Sequence, residues 1–167
     1  VALTTSQAQA LGSTQTGGLT SSQAGVLQGE DLAKLSATAL REITTSAFAN
    51  LSAGAIQSLS SAQVSSLKAE QVIALTTAQA QALGTTQAVG LSSTQASSVE
   101  GEDLAQVTTT ALRALTSEAI AQLSTSAVTS LSSTQFGALQ AGQVMALTTT
   151  QAQALGSTQT GGLTSSQ

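Results

Sequence analysis

Every eighth residue of this chain, counted from Leu3, is a large aliphatic. The column runs Leu3, Leu11, Leu19, Leu27, Leu35, Ile43, Leu51, Leu59, Leu67, Leu75, Leu83, Leu91, Val99, Val107, Leu115, Leu123, Leu131, Leu139, Leu147, Leu155 and Leu163, with no insertion. Position two of each octad is Ser or Thr in 14 of the 21 rows, position five is usually Gln, and position six is mostly apolar, as in Ala8, Leu32, Phe48, Ile56, Val64 and Val72. The consensus is L-[ST]-x-x-Q-[AVIL]-x-x. This period excludes one long helix. At about 100° per residue, an aliphatic stripe drifts by about 80° per octad. A coiled-coil seam needs an apolar residue every ~3.5 residues instead.

A chain that restarts its helix in each octad fits the spacing. With Ser or Thr at the N-cap, the Gln of position five falls at N3 and completes a capping box. Thr4 with Gln7, Ser60 with Gln63, and Thr76 with Gln79 are examples. The Leu of position one and the apolar residue of position six then form a hydrophobic staple. Identical short helices joined by identical bends generate a superhelix. The expected fold is therefore all-α, a solenoid of short capped helical turns, one per octad. The aliphatic column and position six face inward, and Ser, Thr and Gln face outward. Gly12, Gly18, Gly84, Gly90, Gly156 and Gly162 lie at or near the bends, where glycine tolerates unusual backbone geometry. The alternative is a β-solenoid, since eight is even and Thr forms strands well. However, columns five and three apart fall on opposite faces of a straight strand, and Ala and Gln favour helix.

A longer period overlies the octad. Residues 3–74 align with 75–146 without gaps, and 147–167 repeat 3–23 with one change, Thr150 for Ser6. We read 1–167 as one continuous array of 20 full octads in two nine-octad units and part of a third. It is expected to be a window of a longer array or a subunit of an end-to-end polymer, because repeat arrays normally carry atypical capping repeats.

Composition then narrows the chemistry. The chain has no Cys, His, Pro, Trp or Tyr, and only 4 basic and 8 acidic residues. Thiolate and imidazole ligands, disulfides and a His-based acyl-transfer triad are excluded, and no cofactor motif is present. Four cations cannot form a phosphate-binding stripe, so no nucleic-acid partner is expected. No apolar run approaches the ~18 residues of a membrane span. Glu30 and Asp31, repeated as Glu102 and Asp103, are the candidate Ca²⁺ ligands. The competing reading is that these acids favour a helix N-terminus where Gln28 or Glu100 replaces the hydroxyl cap. Lys34, Arg41, Lys68 and Arg113 are expected to pair locally or stay solvated. Asn50-Leu51-Ser52 matches a glycosylation sequon whose Leu is a core position. Thr4-Thr5, Thr76-Thr77 and Thr148-Thr149 suggest an ice-binding array less well than capping.

The octads Leu-Thr-Thr-x-Gln-Ala and Leu-Ser-Ser-x-Gln-Val resemble the tandem repeats of giant bacterial secreted or surface proteins, adhesin-like and filament-forming. The resemblance covers the whole chain and brings no catalytic residues. It implies a structural, self-associating extracellular filament, fibre or stalk whose partner is itself. The alternative is an adhesin or ligand-binding module, including ice-binding. No enzymatic activity is expected.

Overall fold

The computed structural model describes residues 4–167; Leu3, the first of the aliphatic column, lies outside them. Among the described residues the chain forms twenty short helices and no strand, from Thr5–Ala10 to Ser157–Thr160, each 4 to 6 residues long. There is one helix per octad, so the fold is an all-α solenoid and the β-solenoid is set aside. The reason is local. Position two takes extended backbone, as at Thr76 (φ −84°, ψ 159°), and its hydroxyl accepts the N–H of position five. The next Leu closes the helix: Leu11 N–H donates to Ala8 O at 3.2 Å and Leu67 N–H to Val64 O at 3.0 Å. Extended backbone at position two then turns the chain into the next helix. Helices this short do not persist alone, so caps and packing must hold them.

Each helix packs against the helix three along the chain. Hydrogen bonds between turns join residues 25 to 31 positions apart, so one superhelical turn takes between three and four octads. The apolar interior falls into two clusters, spanning Ala24–Val72 and Ala88–Leu139, with partly buried Leu91 and Val99 packed against both. Within the aliphatic column, Leu27, Leu35, Ile43, Leu51, Leu59, Leu67, Val107, Leu115, Leu123, Leu131 and Leu139 are buried. Leu11, Leu19, Leu75, Leu83, Leu91, Val99, Leu147 and Leu155 are partly buried, and Leu163 is exposed.

Two expectations are corrected. The glutamines of position five were expected outside, yet Gln71, Gln79, Gln87, Gln95, Gln135, Gln143, Gln151 and Gln159 are buried. They lie between stacked turns, where unpaired backbone carbonyls demand donors. The glycines near the bends were expected to supply unusual backbone, yet none of the described residues has positive φ. The bends use ordinary extended geometry. Gly12, Gly84 and Gly156 occupy N-cap positions. Gly90 serves close approach: a Cβ there would lie 2.8 Å from Ser61 Cα on the neighbouring turn.

Candidate functional site

The most elaborate polar arrangement in the molecule is the seam between successive turns, and one side chain builds it. Gln79 shows the pattern. Its Oε1 accepts the Thr76 N–H at 2.8 Å, which completes the capping box of its own helix. Its Nε2 donates across the seam to Phe48 O at 3.0 Å and Leu51 O at 2.8 Å. Those carbonyls, 31 and 28 residues earlier, flank a helix junction: Phe48 lies in the last turn of one helix and Leu51 just before the Ser52 N-cap of the next. One amide thus caps an N-terminus with its oxygen and ties down a helix junction with its nitrogen.

The same two-sided use recurs with the same offsets. Gln71 reaches Leu40 and Ile43, Gln95 reaches Val64 and Leu67, and Gln143 reaches Leu112 and Leu115, all between 2.8 and 2.9 Å. Gln63, Gln135, Gln151 and Gln167 follow the same rule. Gln87 and Gln159 keep the 28-residue bond and take a carbonyl 30 residues back. Where position two is Gly84, Lys68 or Gln140, the glutamine still accepts that residue's N–H although no hydroxyl is present. Gln7, Gln15 and Gln23 are exposed, because no residue of this sequence stands 28 to 31 places before them. Among the predicted capping residues, Thr4, Gln7, Ser60, Gln63, Thr76 and Gln79 all sit in complete capping boxes.

Six rows carry Ala at position five and close the seam differently. Ala39, Ala47, Ala55, Ala111, Ala119 and Ala127 are fully buried or nearly so. Their hydroxyl caps persist, as in Ser36 Oγ accepting Ala39 N–H at 3.1 Å. Position six in these rows is large: Leu40, Phe48, Ile56, Leu112, Ile120 and Val128. Where position six is small, as at Ala80, Ala88 and Ala96, position five is Gln.

The candidate Ca²⁺ ligands occupy the two rows where position five is acidic. Asp31 is buried, Glu30 and Glu102 are exposed, and Asp103 is half-buried. Their Gln28 and Glu100 N-caps make no side-chain capping bond, and the acids fall in the first helical turn. Among the described residues no three carboxylates are placed to hold a metal ion. Burial raises the Asp103 pKa above its ordinary value, and the charges of Glu100 and Glu102 add to the shift. A shallow surface groove beside this row is lined by Ser98, Glu100, Glu102, Ser126 and Ser130.

The remaining candidates are dispersed. Lys68 Nζ lies 3.5 Å from Glu42 Oε1, with both side chains well exposed. Arg113 donates to Ala138 O at 3.4 Å. Asn50, the sequon residue, is exposed, and its Nδ2 donates to Ser46 O at 2.8 Å. The first residue of each threonine pair, Thr4, Thr76 or Thr148, is a hydroxyl N-cap. No helix of the described residues is long and apolar enough to cross a membrane. Comparison with protein-family models, curated proteins and solved structures finds no match for the chain.

Sequence reasoning placed the glutamines in capping boxes but missed their reach across the seam. The signal was present: position five holds only Gln, Ala or Asp in all 21 rows. A solvent-facing column would also admit Ser, Thr and Lys.

Proposed function

We propose that this chain is part of a self-associating extracellular bacterial filament, fibre or stalk, whose work is to span distance and not to catalyse a reaction. Its partner in this reading is another copy of itself. One observation carries the reading. The buried glutamines are consumed in joining turn to turn, by a rule repeated along the array, and among the described residues no fully buried side-chain nitrogen or oxygen lacks a partner. Enzymes and ligand-binding sites normally keep convergent polar groups for the molecule they handle. Here the polar groups serve extension instead. Repeated neighbour contacts let such a rod lengthen without changing its local chemistry.

Electron microscopy of the purified chain tests this. The expected result is ordered filaments with contacts between solenoids. Isolated monomeric rods that bind a glycan or ice would overturn the structural reading and favour an adhesin.

A further inference from the structure

The interior of the superhelix contains an apolar hollow. An apolar cavity of about 50 Å³ lies between the two hydrophobic clusters, with Phe48 and Ile56 toward one end, Ala80 and Ala88 along its wall, and Leu104 and Leu115 toward the other. The cause is in the sequence. Position six shrinks to Ala in the successive rows of Ala80 and Ala88, which line the cavity, while Leu83 and Leu91 of the same lining stay only partly buried. Large residues fill the interior on both sides of this stretch, so the lumen there is bounded by Phe48 and Leu104.

We infer that this cavity is a binding site for a small apolar molecule, of the class for which xenon is the standard probe. The lining offers almost nothing to water. Of its two polar residues, Gln87 has its amide fully engaged: Oε1 accepts Gly84 N–H at 3.0 Å, and Nε2 donates to Gln57 O and Leu59 O. Asp103 alone remains, whereas a buried water needs roughly 2–4 polar partners. Apolar cavities of this kind stay dry and accept apolar guests of matching size. The site does not depend on whether the chain forms filaments.

The test is a xenon titration of the methyl-labelled full chain, followed by carbon–proton correlation spectra. Saturable shifts are expected at the methyls of Ala88, Leu83 and Leu91, with little change on the outer Val26 and Met145. Ala88→Leu, which fills the cavity, should abolish them; Ala80→Val gives the same readout if Ala88→Leu fails to fold. Shifts that do not saturate, or that persist undiminished in the filled variant, would overturn the site.

Discussion

Replacing Gln79 by Glu separates the two jobs of the seam glutamine. Glu is nearly isosteric and keeps an oxygen to accept the Thr76 N–H, so the capping box survives. What is lost is the donor pair. A carboxylate would face Phe48 O and Leu51 O, now bonded at 3.0 and 2.8 Å, with no cation among the hydrogen-bond partners of that seam. Gln79 is 1% exposed, so water cannot relieve the repulsion. An uncompensated buried charge costs ~3–5 kcal/mol, and that is the loss expected at neutral pH. The carboxyl escapes by binding a proton, so its folded pKa rises above the ordinary ~4.3 of Glu. Stability from a raised pKa is fully present below the unfolded value and is lost as pH rises through the folded value. The protonated variant can donate one bond where Gln donates two, so near pH ~4 its deficit should shrink to ~1 kcal/mol. Thermal unfolding followed by far-UV circular dichroism, from mildly acidic to neutral pH, measures both ends. Equal melting of the variant and the parent at neutral pH, or a deficit that does not change with pH, would refute the clamp.

Three further outcomes rest on the same geometry. Asp103→Asn should raise the melting temperature at neutral pH and flatten its pH dependence, because burial, with Glu100 and Glu102, raises the Asp103 pKa, and its contribution is present below the ordinary 3.8 and lost as pH rises through the folded value; melting curves in acid and at neutral pH decide it. Gly90→Ala should destabilise by ~1–3 kcal/mol through overpacking, since its new methyl would lie 2.9 Å from the Ser61 carbonyl carbon; an unchanged denaturation midpoint would mean that the turns do not approach so closely. Ser60→Ala should cost ~1 kcal/mol by removing the acceptor of Gln63 N–H, now at 3.2 Å, and urea titration reads the difference.

The parts of this fold that were legible in the sequence are those set within one octad. Leu59, Ser60, Gln63 and Val64 lie within six residues, and their capping box and staple follow from spacing alone. What lay beyond the sequence was set between octads. The 28- and 31-residue offsets of Gln79 depend on how many octads make one turn, and that number follows from bend angles which no single octad displays. The same gap explains the misplaced glutamines: an amide beside a hydroxyl cap reads as a surface residue until the next turn is laid upon it. The low charge also becomes clearer in three dimensions. Ser21 bonds to Ser46 O and Gln81 to Gln106 across 25 residues, three octads and one position, so adjacent outer columns of the octad meet where the turns stack in space. A column of one charge would repel itself along the whole rod.

The Gln and Ala rows are two solutions to one packing problem. A turn must be joined to the turn before it, through a space shared by positions five and six. Gln79 with Ala80 supplies two cross-seam bonds, each worth ~1 kcal/mol net, beside a small apolar group. Ala47 with Phe48, or Ala55 with Ile56, supplies no such bond but buries a large side chain, worth ~1.5–3 kcal/mol. The sums are similar, so either row can close a turn. They are not interchangeable halfway: Gln79→Ala beside Ala80 would leave both a gap and a Leu51 carbonyl without its donor. Some rows combine the two: Gln63 with Val64, Gln71 with Val72 and Gln135 with Phe136 have both a cross-seam amide and a buried apolar side chain. The long repeat therefore alternates polar and apolar cohesion along a backbone that barely changes. The hollow at Ala80 and Ala88 falls where small residues at position six coincide with glutamines whose amides are already committed to the seam.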